Sequence, residues 1–131
     1  MTYGSEVWSV DKVTSQKLLS AEMMYWRRSL GLTLLDRIRN EYIRERMSAE
    51  NTIMDVIGEK QLKWYGHLRR MNEERMPLKV WNWIPANRNK RGRPRKKWIS
   101  NVHIQMESKG LSEGDWINKE RWRLGCEKRH N

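Results

Sequence analysis

IMDVIGEKQLKWYGHLRRM, residues 53–71, decides how the chain folds. Ile53, Val56, Ile57, Lys60, Trp64, Leu68 and Met71 recur at three- and four-residue spacing, which traces one face of an α-helix starting near Asn51 or Thr52. Gly58 and Gly66 each cost such a helix about 1 kcal/mol relative to alanine, so they are tolerated losses or places of close packing. Trp64 falls on the apolar stripe and reads as a core anchor. It also belongs, with Lys63, His67, Arg69 and Arg70, to a basic cluster whose interleaved aromatics match the mixture that stacks bases while holding phosphates. Lys63 and Arg70, one helical face away from the stripe, are left to meet phosphate.

Towards the N-terminus, Leu18, Leu19, Met23, Trp26 and Leu30 repeat the helical spacing over residues 12–30, with Asp11 as N-cap and Gly31 as the stop. Arg27 and Arg28 are expected on the solvated side of this helix or reaching past its C-terminus, where they complement its dipole. Residues 33–48 mix both signs of charge, which suits a surface helix carrying Tyr42, Ile43 and Met47 with Asn40 as cap. The opening YGSEVWSV, residues 3–10, reads as a short strand or an extended segment.

Towards the C-terminus, Pro77 interrupts the pattern, and Leu78, Val80, Trp81, Trp83 and Ile84 form a short apolar segment expected to pack at the base of a basic stretch. This stretch is RNKRGRPRKKW, residues 88–98, with seven cations (Arg88, Lys90, Arg91, Arg93, Arg95, Lys96, Lys97) in ten consecutive positions and no carboxylate between them. Such a run repels itself and gains nothing from burial, so it lies in solvent or against a polyanion. Gly92 permits close backbone approach and Pro94 biases Arg93 to an extended conformation. The expectation is an extended basic arm. Helical spacing returns over residues 97–108 through Trp98, Val102 and Met106 to a stop at Gly110. SEGDW, residues 112–116, then opens a last helix with Asp115 in a capping-box position, and the chain is expected to fray after Gly125.

The net charge of +11 comes from 27 Lys and Arg against 16 Asp and Glu. Residues 60–97 hold 13 of the basic residues and two of the acidic ones, so this window carries the whole excess. A phosphate backbone fits a footprint of that size. An anionic membrane surface fits less well, because the window lacks a broad apolar stripe.

Eight Trp and no Phe supply large packing anchors, so 131 residues can build a modest core. One cysteine, Cys126, excludes an internal disulfide and any multi-cysteine zinc site. No apolar run approaches the ~18 residues of a transmembrane helix, and no secretory h-region opens the chain. An intracellular protein, nuclear or cytoplasmic, is expected. There is no phosphate-binding glycine loop, no HExxH and no cysteine–histidine set at zinc spacing. The four aspartates, Asp11, Asp36, Asp55 and Asp115, are nowhere adjacent, so the paired carboxylates of a two-metal polymerase are missing. No catalytic residue, cofactor or metal is assigned.

Six pieces in one order, YGSEVWSV, MMYWRRSLGL, DRIRNEYI, KQLKWYGHLRRM, RGRPRKKWISNV and ERWRL, resemble the C-terminal region of non-LTR (LINE-type) retrotransposon endonuclease-reverse transcriptases. The resemblance extends over almost the whole chain. It implies the thumb and the basic segment beyond it, which help to hold template RNA and target DNA for target-primed reverse transcription. That family's opening has a cysteine and a threonine where Ser5 and Val7 stand here. The fingers, the catalytic palm and the endonuclease lie outside these residues, so the resemblance implies binding without catalysis.

Together these readings give a mainly α protein of four or more helices: a helical thumb-like region over 1–84, a basic arm over 85–97 and a C-terminal helical hairpin over 98–131. RNA or an RNA–DNA duplex is the expected partner, gripped by Lys63, Arg69, Arg70, Arg88, Lys90, Arg91, Arg93, Arg95, Lys96 and Lys97, with no membrane involved. The alternative takes RGRP, residues 91–94, as an AT-hook-like arm entering the minor groove of A·T-rich DNA in chromatin. The purified chain should give no metal-dependent primer extension; extension above a no-protein control would overturn the assignment of binding without chemistry.

Overall fold

The computed structural model describes residues 2–83 and 97–127. Among them are six α-helices, three short 3₁₀ turns and no strand. The helices are α1 (Lys12–Ser29), α2 (Asn40–Arg46), α3 (Ile53–Arg69), α4 (Met76–Asn82), α5 (Trp98–Ser108) and α6 (Lys119–Glu127). They fall into two compact units, Val10–Ile57 in one, and Tyr3–Ser9 with the described residues from Gly58 onward in the other. The division falls inside α3, a place that nothing in the sequence marks.

In the first unit, Asp11 caps α1 by accepting from the Thr14 amide at 2.7 Å, and Gly31 ends it at φ 68°, where glycine alone is unstrained. Val10, Met23, Ile43 and Ile57 are its buried side chains. Leu18, Leu19, Trp26 and Leu30 are only half-buried, as is normal where few elements cover a helix. Polar bonds complete the unit. Glu22 pairs with Arg44 at 2.7 Å and accepts from the Ile53 amide at 2.8 Å, so one carboxylate ties α1 to α2 and to the start of α3. Thr52 and Asp55 then cap α3 reciprocally. Arg27 reaches past the C-terminus of α1, the second of its two expected placements, and donates to the Ile38 carbonyl and to Asn40. That bond displaces Asn40 from its expected capping role: Arg39 is the N-cap, and Asn40 opens the helix.

The second unit is built on Leu62, Tyr65, Val102, Met106, Trp122 and Cys126, with Trp81, Trp98, Ile99, Leu111 and Trp116 packed around them. Tyr65 has the rings of Trp81, Trp98 and Trp122 at 6.1–6.4 Å between centroids, which gathers α3, α4, α5 and α6 on one aromatic cluster. Trp122 donates from Nε1 to the Leu62 carbonyl at 3.0 Å. Gly66 makes this possible, because a methyl group there would fall under 3.0 Å from three atoms of the indole. The N-terminal segment is a 3₁₀ turn over Ser5–Val7, not a strand. Its carbonyls are taken by side chains, Trp98 Nε1 on Glu6 at 2.8 Å and Gln61 Nε2 on Trp8 at 2.8 Å, which leaves no sheet partner to recruit.

Further expectations are corrected. Ile57 and Leu68 of the predicted α3 stripe are buried, but between them the buried ring is Tyr65 while Trp64 is half-exposed, because buried Gln61 serves the Trp8 carbonyl and Gly66 receives Trp122. Pro77 helps to start α4 rather than breaking a pattern, since the first turn of a helix needs no amide from it. Only Leu78 and, in part, Trp81 of that segment pack, while Val80 and Trp83 are exposed; Ile84 lies outside the described residues. Cys126, expected to fray with the residues after Gly125, is buried within α6. The SEGDW cap does form, with Asp115 accepting from the Ser112 amide at 2.8 Å, but it opens a 3₁₀ turn, and Asn118 caps α6 itself.

Gly66→Ala should lower stability by about 1–3 kcal/mol through overpacking against Trp122, although alanine is the better helix former by about 1 kcal/mol. A urea midpoint equal to or above the parent's would refute the close approach.

Candidate nucleic-acid interface

Of the ten residues proposed to grip nucleic acid, Lys63, Arg69, Arg70 and Lys97 are described; Arg88, Lys90, Arg91, Arg93, Arg95 and Lys96 lie outside the described residues. The basic arm and its AT-hook-like core therefore rest on sequence.

The α3 cations are committed to the fold. Lys63 bonds Glu59 at 2.6 Å, one helical turn before it, and reaches Glu127 of α6 at 3.4 Å. The bond to Glu59 is the main cause of an ammonium pKa above its ordinary value, so the lysine stays charged. Arg70 donates from Nη1 to the Trp116 carbonyl at 2.6 Å, and the Arg69 guanidinium lies 5.0 Å from the centre of the Trp116 ring. These last two residues clamp the 3₁₀ turn before α6 from its backbone and its ring face. The expectation that Lys63 and Arg70 stand free is thus corrected. The i,i+4 spacing of Glu59 and Lys63 was legible in the sequence; Glu127 and Trp116 were not, because both meet α3 only through the tertiary fold.

Trp64 and His67 sit on the outer side of α3 with ring centroids 5.5 Å apart and planes 43° apart. With Glu6, Lys60 and Lys63 they line a shallow depression of about 360 Å³. Glu6 on this wall, and Glu59 and Glu127 on Lys63, offset its two ammonium groups, so the local charge favours no polyanion. Lys97 is different: it is exposed and extended (φ −87°, ψ 146°) immediately before α5, where the seven-cation run meets the folded unit.

Ser5 is fully buried. Among the described residues no group of three or more His, Cys, Asp or Glu could hold a metal, and no helix is long and apolar enough to cross a membrane.

Comparison with known proteins gives one relative. The chain is 25% identical over 113 residues to an uncharacterised transposon-derived protein of Caenorhabditis elegans, an alignment that takes in 83% of this chain and 40% of the relative. No family model and no solved structure matches. The likeness supports a transposon-related origin.

Cys126 offers a test of the packing beneath this face. Burial pushes its thiol up to about 11 from an ordinary 9.0. Between those values the unfolded chain ionises while the folded chain keeps its proton, so stability is lost as pH rises from about 9 to about 11. Cys126→Ala should lose less stability than the parent between pH 8 and 10 in urea titrations; equal losses would place the thiol in water.

Proposed function

We propose that this chain is the nucleic-acid-gripping part of a LINE-type reverse transcriptase, a thumb-and-tail segment that holds RNA or an RNA–DNA duplex and supplies no catalysis. The observation that carries the reading is the placement of charge. The excess of +11 sits in residues 60–97, where Lys63, Arg69 and Arg70 are engaged within the fold, Arg75 and Lys79 are matched in number by Glu73 and Glu74, and the remaining density is the uninterrupted run ending at Lys97. A run of seven cations with no carboxylate between them attracts phosphate without reading bases. The six ordered motifs supply the family, and the transposon-derived relative agrees with it at the coarser level of origin. This chain spans two fifths of that relative, so reverse transcription as a whole is an activity proposed for the longer protein.

The AT-hook-like reading has one feature in its favour, Arg91–Gly92–Arg93–Pro94, which fits a narrow groove sterically. It occurs as a single copy, whereas the charge of the run is spread over ten positions.

If about five cations contact single-stranded RNA, log K against log salt should have a slope near −3.5. Replacing Arg91, Arg93, Arg95, Lys96 and Lys97 with alanine should remove most of that slope and leave helix content unchanged. Trp98→Ala should instead reduce stability, since its indole packs on Tyr65 and Trp81 and bonds Glu6. A five-alanine variant with the parent's affinity and slope would reduce the run to a linker, and tighter binding to A·T-rich duplex than to RNA would favour the groove reading.

A further inference from the structure

The loop between α1 and α2 presents two leucines to water from a backbone that is firmly held. Leu34 is 72% exposed and Leu35 89% exposed. Around them, Thr33 and Asp36 form a complete capping box, with the Asp36 carboxylate accepting from the Thr33 amide at 2.6 Å and from its hydroxyl at 2.9 Å. The same bonds hold the Asp36 carboxyl below its ordinary pKa, so the box stays closed at neutral pH. Upstream, the Leu32 amide bonds the Arg27 carbonyl at 2.8 Å; downstream, the Arg27 guanidinium grips the Ile38 carbonyl and Asn40. The loop is therefore built from polar bonds, and its two apolar side chains contribute little to burial.

The surroundings are cationic. From Arg27 to Arg39 there are four arginines and one carboxylate, and that carboxylate is occupied by Thr33. Arg28, Arg37 and Arg39 are exposed. The nearest further acid, Glu41, is also exposed and sits in the first turn of α2. Arg37 adopts φ 50°, ψ 26°, a left-handed conformation that glycine takes without strain. Arginine at this position places a guanidinium on the loop at a backbone cost that glycine would not bear.

We infer that Leu34 and Leu35 form an apolar wedge that enters the minor groove of duplex DNA at a flexible step, with Arg28, Arg37 and Arg39 on the flanking phosphates. Aliphatic wedges inserted between base steps, beside arginines, are the physical means by which proteins unstack and kink a duplex. Pyrimidine–purine steps such as TA unstack most easily and are the expected target. Charge complementarity selects the occupant: three exposed arginines close in the sequence to two exposed leucines suit a polyanion whose interior is apolar. This surface is made of residues other than the 88–97 run and addresses a different nucleic acid, so it stands or falls apart from that grip.

The test is a duplex carrying 2-aminopurine beside a central TA step, with the full chain added at low salt. Unstacking should raise the emission roughly two-fold or more at saturation. Leu34→Ala with Leu35→Ala should still bind but abolish the rise. Arg37→Gly, which relieves the left-handed strain, should keep or gain thermal stability yet bind more weakly, with a salt slope shallower by about 0.9. The five-alanine variant of the 88–97 run should retain the emission rise when saturated, which separates this surface from that one. No rise with the parent chain, a rise that survives loss of both leucines, or unchanged binding by Arg37→Gly would each overturn the wedge. Leucine-dependent adsorption to phosphatidylserine vesicles without a duplex response would assign the loop to lipid and overturn it as well.

Discussion

The indole of Trp122 on the bare backbone of Gly66 is the contact on which the larger helical unit depends. Its ring can approach α3 only because Gly66 has no side chain, and its N–H reaches the Leu62 carbonyl one turn earlier in that helix. Once α6 is seated there, Tyr65 gains the third indole of its cluster, Cys126 is sealed from water, and Glu127 comes within reach of Lys63. Leu111 behaves similarly at Gly125, where a methyl group would meet its side chain. The two glycines that a propensity scale counts as weak points of their helices are where neighbouring elements make their closest approach.

This packing sorts the positive charge. Arginines and lysines that rise from α3 are drawn into the fold, where Arg69 and Arg70 fix Trp116 and Lys63 links α3 to α6. Arg27 and Arg44 do equivalent work in the smaller unit, on the Ile38 carbonyl and on Glu22. The other large share of positive charge in the sequence is the 88–97 run, which no acidic residue interrupts. Arginine in this protein serves as mortar between elements, a use that only the folded structure reveals.

Much of the fold was legible because apolar periodicity and caps are local. The Asp11 cap, the Gly31 stop, the Val102 and Met106 stripe and the Asp115 cap all follow from short-range rules, and all are present. The errors share one cause, a tertiary partner far away in sequence. Tyr65 displaced Trp64 as the buried ring because Trp122 and Trp98 lie 57 and 33 residues on, and Gln61 is buried for a carbonyl 53 residues earlier. The candidate site was less legible than the core. Periodicity placed Lys63 and Arg70 on an outward face correctly, but it carried no record of Glu127 or of the Trp116 carbonyl that occupy them.

Amide hydrogen exchange tests most directly the claim that α3, α5 and α6 are one cooperative unit locked by Trp122. The account predicts that the slowest amides within 61–69, 101–107 and 121–126 exchange through a common opening, with closely similar protection, and that Trp122→Ala lowers all three together. Exchange of α6 at the rate of an unstructured peptide while α3 and α5 remain protected would contradict it.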